Sequence, residues 1–245
     1  MPKCIFCLTI DKTVFNTKEH ILPESLGGGD WAILPDGLYC DKCQNIFGSS
    51  IEQQALADYP FINLRTLLGI PTKKNKAPWF EYMEGRLHSA GEPGRIIYEP
   101  NEYFRKAFAE GRKTLTIIPA MTRKSNMILR TLLKIGLETI AGDNGENKVF
   151  EERFDPARVY ALTGQKKYDW SYLQIEHTDK LNLYIKGIAA DEEPFFMDIY
   201  DYDKEQEYMY LRVLYLDFFV PLIENVVIDP EIVKGLPRKT EIIIV

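Results

Sequence analysis

Four cysteines arranged as two Cys-x-x-Cys pairs constrain this chain more than any other feature. Cys4 and Cys7 form the first pair, Cys40 and Cys43 form the second, and the 245-residue sequence contains no other cysteine. This spacing is typical of a tetrahedral structural zinc ion held by two short knuckles. The 32 residues between the pairs are too many for a tight turn and too few for a separate core, so we expect a loop that the metal keeps ordered.

Disulfide bonds are the competing use of four cysteines. The N-terminal residues MPKCIFCLTI lack the charged and then apolar pattern of a signal peptide, so we expect a cytoplasmic protein in which thiols stay reduced. Zinc is therefore favoured over disulfides. We also expect no membrane partner, because no segment approaches the roughly 18–20 uncharged apolar residues of a membrane span.

Charge is unevenly distributed along the chain. The net charge of −6 argues mildly against a nucleic-acid partner. Between residues 105 and 135, however, eight basic residues accompany a single acid, and between residues 191 and 207 eight acids accompany a single base. The basic residues of the first segment are Arg105, Lys106, Arg112, Lys113, Arg123, Lys124, Arg130 and Lys134. This asymmetry fits one phosphate-facing surface, although two ordinary solvated faces would give the same pattern.

The apolar pattern divides the chain into unequal parts. We expect a zinc-stapled finger over residues 1–58, a short helix and a linker over 59–92, and an accessory domain over 93–245. The predicted fold class is α+β with a mainly antiparallel sheet, because the strands are serial. Helices are predicted from Cys40 onward and over 125–142, and strands over 94–100, 114–119, 158–164, 170–177, 180–187, 195–200 and 208–220. The terminal EIIIV is either an edge strand or an added strand at a subunit interface.

A Glu19-His20 pair lies between the two cysteine pairs, in the segment EHILPESLGGGD. The glycines predict an irregular loop after a short strand that ends near Ile21, so the pair should lie at a strand end. The ordinary pKa of a histidine side chain is about 6.5, which lets an imidazole take a proton at neutral pH. A carboxylate is a preferred ligand of hard cations such as Mg²⁺.

This region resembles the HNH endonuclease family, whose catalytic unit is a ββα-metal finger. The resemblance is carried by C-I-F-C, E-H-I-L-P-x-x-L-G-G, C-D-K-C-Q-N and F-G-S-S-I-E, and it covers about residues 4–55. It implies that His20 is the general base and that Glu19 binds a catalytic Mg²⁺ or Mn²⁺ ion. It also implies that an amide side chain after the second knuckle is a further ligand and that the zinc is purely structural.

The chain departs from the family at this amide. The family usually places Asn directly after the last cysteine, whereas this chain has Gln44 followed by Asn45. Successive helix residues point about 100° apart, so both side chains cannot easily reach one cation. We expect Asn45 to be the ligand, because family members commonly carry a second amide there, and we keep Gln44 as the alternative. Glu52, in the same segment, either braces the site or is a surface acid.

Three functions follow from the resemblance. The leading hypothesis is a metal-dependent endonuclease that hydrolyses phosphodiester bonds of nucleic acid, with DNA as the expected substrate and bacterial defence as one setting. The alternative is a zinc-stapled module that binds nucleic acid or protein without cleaving it. A third hypothesis is a nuclease that stays silent until an activating ligand or protein engages residues 93–245. One finger nicks one strand, so a double-strand break would need a homodimer or two successive events.

A second Glu-His pair, Glu176-His177, occurs in the segment LQIEHTD. It lies in an apparent strand with no cysteine pair nearby, so we interpret it as structural.

Overall fold

The computed structural model describes residues 1–72, 74–82, 85–111, 124–143, 147–167, 169–189, 193–203, 206–226, 228 and 239–245. The strand expected over 114–119 lies outside these residues, as do Arg112, Lys113 and Arg123 of the basic segment and Asp191, Glu192, Lys204 and Glu205 of the acidic one.

The described helices are α1 (Asp41–Ile46), α2 (Glu52–Leu56), α3 (Phe61–Leu68), α4 (Glu102–Ala109), α5 (Ser125–Asp143), α6 (Asp155–Thr163) and α7 (Thr178–Ile185). The described strands are β1 (Trp79–Tyr82), β2 (Gly85–Ser89), β3 (Ile96–Pro100), β4 (Ser171–Glu176), β5 (Phe195–Asp203), β6 (Gln206–Val213), β7 (Leu216–Pro221) and β8 (Thr240–Ile244).

The N-terminal finger is mostly irregular backbone that is fixed by short-range pairing. His20 and Ile33 form an isolated antiparallel bridge. Ile21 N–H donates to the Ala32 carbonyl at 2.7 Å, and Leu34 N–H donates to the Glu19 carbonyl at 2.9 Å. The strand predicted to end near Ile21 is therefore reduced to one bridge with flanking hydrogen bonds.

A helical rod follows the second cysteine pair. Helix α1 begins directly after Cys40, whose carbonyl accepts from the Gln44 N–H at 3.0 Å. A π-helical turn over Phe47–Ile51 connects α1 to α2 without a break. The prediction of a helix from Cys40 onward is confirmed, and the π turn within it is a feature that the apolar spacing did not indicate.

Two antiparallel sheets complete the fold. The smaller sheet has the order β1-β2-β3, so the interval 59–92 contains two strands in addition to α3. The larger sheet has the order β5-β6-β7-β4-β8, and every pairing in it is antiparallel. The terminal strand β8 pairs with β4 and lies at an edge of this sheet. The predicted α+β class with an antiparallel sheet is confirmed.

Helix α5 joins the finger to the larger sheet. Its residues Ile128, Leu132, Ile135 and Leu137 are fully buried on several faces, as expected of a helix that is enclosed by other elements. Helix α5 contacts α2 on one side, α6 on another, and strands β5 and β7. One continuous apolar core therefore runs from the finger through α3, α5 and α6 into the larger sheet. Among the described helices, none combines the length and the apolarity that crossing a membrane requires.

Three of the predicted strands are wrong. The strand predicted over 208–220 is two antiparallel strands, β6 and β7, joined by a turn at Leu214 and Tyr215. The other two are helices.

Residues 158–164 belong to α6, which starts with Pro156 in its first turn and ends at Gly164, a left-handed residue with φ of 75°. Residues 180–187 belong largely to α7. In α6 the apolar residues also satisfy helical spacing, since Ala157, Tyr160 and Ala161 are buried on one face. In α7 no residue is buried, but Leu181 and Tyr184, three positions apart, pack against the core.

Candidate functional site

The four cysteines form one cluster. Their Sγ atoms all lie within 4.8 Å of one another, and none of the cysteines is in a disulfide. A tetrahedral zinc ion with Zn–S bonds of about 2.3 Å requires sulfurs about 3.8 Å apart. The Sγ atoms of Cys7 and Cys40 are 3.5 Å apart. The donor set and the spacing therefore fit the predicted zinc ion.

The ionisation of the thiols also points to a cation. A hydrogen bond from the Cys43 thiol lowers the pKa of Cys4 to about 5, and donating that bond raises the pKa of Cys43 far above its ordinary value. Burial raises the pKa of Cys40 to about 11. One thiolate thus opposes the ionisation of its neighbours. A metal ion removes this opposition, because it stabilises all four thiolates together.

A buried arginine fastens the first knuckle to the rest of the protein. Arg158 on α6 is 2% exposed, and its guanidinium donates to the carbonyls of Ile5 and Val149 and pairs with Asp155. Ile5 follows Cys4 directly. The position of the cysteine cluster is therefore set by contacts from outside the finger as well as within it.

Close packing requires glycine at two positions of the loop after His20. Gly27 has φ of 100°, and a Cβ there would lie 2.3 Å from the Phe195 ring of β5. A Cβ on Gly28 would lie 1.8 Å from the carbonyl oxygen of Leu22. These positions admit glycine alone without rearrangement of the backbone, so the loop can fold back closely beside the bridge.

Glu19 lies between the bridge and the start of α1. Its side chain is 11% exposed, and its Oε2 accepts a hydrogen bond from Gln44 Nε2 at 3.0 Å. The same nitrogen donates to the Lys18 carbonyl at 2.9 Å. Asn45 is exposed, and its carbonyl accepts from the Ser49 hydroxyl. The amide that meets Glu19 is thus Gln44, the residue that sequence reasoning kept as the alternative.

His20 follows Glu19 directly in the chain and forms the bridge with Ile33. Its side chain is 22% exposed, and its Nε2 is 3.9 Å from Oε1 of Glu24, which is 42% exposed. This separation is an ion-pair distance rather than a hydrogen bond. Sequence reasoning missed Glu24, although its position four residues after His20 was a usable signal.

The π turn sets which residues of the rod face the junction between the bridge and α1. In a regular α-helix, Glu52 would point about 80° away from Gln44, because eight residues at about 100° each exceed two turns by that amount. A π turn accommodates one extra residue, which reduces the offset to about 20°. Gln44 and Glu52 therefore share the face that meets Glu19. The side chain of Glu52 is 14% exposed, so the interpretation as a surface acid is wrong, and the bracing role stays a prediction.

A fully buried lysine completes the cluster. Lys134 Nζ on α5 lies 2.7 Å from Glu19 Oε1, 2.9 Å from Glu52 Oε1 and 3.0 Å from Glu138 Oε2. Burial alone would lower the pKa of Lys134, but the three carboxylates raise it well above its ordinary value, so the ammonium stays charged. Burial raises the pKa of Glu138 well above its usual range.

Several residues of the two charged segments are buried or turned inward rather than on the surface. Lys134 belongs to the basic segment that the sequence predicts to face phosphates, yet it is 0% exposed. Arg130 is also turned inward, where its guanidinium donates to the carbonyls of Ala161 and Leu162. Among the acids, Glu207 is 1% exposed and pairs with Lys148 and Arg153. For these residues the expectation of charged surface runs is wrong.

The second Glu-His pair has structural partners, as expected. His177 Nε2 lies 2.7 Å from Asp217 Oδ2, and Asp217 also accepts from Arg212 at 3.1 Å. Buried Glu176 accepts from Lys239 and from the Tyr59 hydroxyl.

The fold and the site define an α+β protein with an N-terminal four-cysteine finger, in which a bridge, a glycine loop and a helix meet. The model of the family described as HNH endonuclease matches residues 4–60. This segment is therefore of HNH type, as the sequence motifs indicated, and it supports assignment as a nuclease. Searches among curated proteins and among solved structures gave no match.

Proposed function

We propose that this protein is a metal-dependent endonuclease that hydrolyses phosphodiester bonds, with His20 as the general base. The proposal rests chiefly on the hydrogen bond between Gln44 and Glu19, the residue directly before His20, in a segment that matches the HNH family model. We assign the amide role to Gln44 rather than Asn45, because Gln44 contacts Glu19 whereas the Asn45 side chain lies on the exposed side of α1.

In this proposal His20 takes a proton from the attacking water. Phosphodiester hydrolysis requires a water in line with the leaving oxygen and stabilisation of charge on the phosphate. The imidazole is partly exposed, so both water and a phosphate can approach it. The Glu24 carboxylate, 3.9 Å from Nε2, faces the positive charge that the ring acquires.

The residues at the junction fit a hard divalent ion. Glu19 offers a carboxylate and Gln44 offers an amide oxygen, and Mg²⁺ commonly takes one or two carboxylates, with waters and phosphate oxygens completing its shell. Bound there, Mg²⁺ or Mn²⁺ would neutralise charge on the phosphate and on the leaving oxygen. The four thiolates of the zinc site leave no open position for water, so its role is to hold the bridge and α1 together.

DNA is the substrate that we propose for this site. A purified, zinc-loaded protein incubated with supercoiled plasmid is expected to produce nicked circles when Mg²⁺ or Mn²⁺ is added, and to leave the plasmid intact with EDTA at a concentration that spares the zinc. The same incubation with a single-stranded RNA tests whether the protein cleaves RNA as well as DNA. An unchanged plasmid in every divalent ion would contradict the proposal.

One observation favours the alternative of a binding module without cleavage. Lys134 engages Glu19 Oε1 at 2.7 Å, so part of the proposed ligand is already paired with a cation. This alternative predicts that the protein binds DNA in the presence of Mg²⁺ and leaves it uncut. Gel-shift and nicking assays on the same preparation distinguish the two functions.

A further inference from the structure

Lys134 is outside the segment that matches the family model, yet it contacts that segment at its centre. It lies on α5, and its ammonium touches Glu19 from the bridge and Glu52 from α2. The third contact is to Glu138, one turn further along α5. Lys134 and Glu138 are both 0% exposed. The site therefore includes side chains that a finger comprising residues 4–60 alone would lack.

The geometry around the ammonium is specific. A lysine ammonium has three N–H groups, and three carboxylates surround it at 2.7, 2.9 and 3.0 Å. Burying a charged lysine is costly unless it is paired and hydrogen-bonded. Here Nζ donates to Glu138 Oε2 and, at 3.5 Å, to the His20 carbonyl. It also lies at ion-pair distance from Glu19 and Glu52. The ammonium therefore has little freedom to move, and neither has the oxygen of Glu19 that it contacts.

The two oxygens of Glu19 have different neighbours. Oε1 faces Lys134, and Oε2 faces the amide of Gln44. A carboxylate ligand whose second oxygen is held by a charged partner keeps one orientation, and such supporting contacts commonly decide how well a metal site binds. Glu52 offsets the charge of Lys134.

We propose that Lys134 is a positioning residue for the nuclease site. Its ammonium fixes Oε1 of Glu19 and thereby orients Oε2, which also accepts a hydrogen bond from Gln44 Nε2, toward the divalent ion. This inference rests on the proposed function. It extends the site to α5, so that the region after the finger supplies part of the machinery that orients the metal ligand.

Direct Mn²⁺ binding tests the inference without relying on catalysis. Calorimetric titration of the full-length, zinc-loaded protein compares the wild type with Lys134→Met, which keeps the apolar stem and removes the ammonium. Arg130→Met is the matched control, because Arg130 lies one turn earlier on α5 and binds the carbonyls of Ala161 and Leu162. We expect Mn²⁺ binding to weaken about 10- to 100-fold in Lys134→Met and to stay at the wild-type level in Arg130→Met.

Removing the lysine leaves Glu138 buried without its partner, and that loss alone can prevent Lys134→Met from folding. A second variant keeps the inference testable in that case. The double change Lys134→Met/Glu138→Leu removes the ammonium together with its one fully buried partner, which buried pairs commonly tolerate, and leaves the partly exposed Glu19 and Glu52 in place. The same weakening of Mn²⁺ binding is expected, with zinc content unchanged. Mn²⁺ binding within about twofold of wild type, or tighter than wild type, would overturn the inference. Loss of folding in both variants would also overturn it, because Lys134 would then be a structural residue.

The titration also separates this inference from the proposed function. Glu19→Gln is expected to lose Mn²⁺ binding whatever the role of Lys134. If the wild type binds no Mn²⁺, or if Glu19→Gln binds it normally, the proposed metal site itself fails. If Glu19→Gln loses binding and Lys134→Met retains it, the positioning role alone fails.

Discussion

The amide nitrogen of Gln44 lies 3.0 Å from Oε2 of Glu19, which ties the start of α1 to the bridge that carries His20. Cys43 precedes Gln44 directly, so the zinc-binding cluster and the proposed catalytic ligand are adjacent along the helix. The metal-binding knuckle thereby positions a side chain of the site, and this coupling makes the roles of the individual residues testable.

The two amides after the second knuckle should behave differently. Gln44→Ala removes the partner of Glu19 and an amide oxygen from the proposed ion site, and we expect the nicking rate to fall about 10- to 100-fold. Asn45→Ala changes an exposed side chain and should leave the rate within about twofold of wild type. Initial rates of plasmid nicking at saturating Mn²⁺ measure both. A larger loss in Asn45→Ala than in Gln44→Ala would reverse the assignment.

Loss of a cysteine ligand should unfold the finger. Cys40→Ser leaves three thiols, and the apparent binding energy of a structural zinc, about 10–16 kcal/mol for four ligands at neutral pH, would be largely lost. We expect less than one zinc ion per chain and a lower thermal midpoint, measured by a colorimetric zinc assay and by circular dichroism. Ser50→Ala, an exposed change on the same rod, is the control. A folded Cys40→Ser protein with a full zinc complement would contradict this structural role.

The contact between Arg158 and the first knuckle should contribute to stability. Arg158→Met leaves the carbonyls of Ile5 and Val149 without their donor in a buried region, and we expect the free energy of unfolding to fall by about 2–5 kcal/mol. Urea denaturation measures this change. Arg95→Met, which removes an exposed ion pair with Glu92, should change stability little. Equal midpoints for the two variants would refute the assigned role of Arg158.

Sequence reasoning located the finger because its signals are local. The cysteine spacing predicted the cluster, and the apolar residues after Cys40 predicted the helix. The long apolar pattern of α5 was sufficient to predict that helix, which begins at Ser125 and extends to Asp143 against a predicted end at Gly142. Alternation of apolar and polar residues predicted β4 and β5 correctly, but it predicted strands where α6 and α7 lie. A short alternating run fits the period of a helix as well as that of a strand.

The parts of the site that sequence reasoning missed depend on tertiary structure. A lysine in a basic segment is usually solvated, and nothing local to Lys134 indicates that Glu19, 115 residues earlier, will meet it. The choice between Gln44 and Asn45 depends on the rotation of α1 about its axis, which the cysteine cluster fixes in three dimensions. The π turn that brings Glu52 to the same face likewise depends on packing against α5.

The most direct test of the account is plasmid nicking by His20→Ala. With Mn²⁺ present and zinc content equal to wild type, removal of the general base should lower the nicking rate by about 10²- to 10⁴-fold. His88→Ala is the matched control, because His88 lies on β2 and pairs with Glu99 in the smaller sheet. We expect near-complete loss of nicking in His20→Ala and wild-type nicking in His88→Ala. Wild-type nicking by a folded, zinc-loaded His20→Ala protein would contradict it.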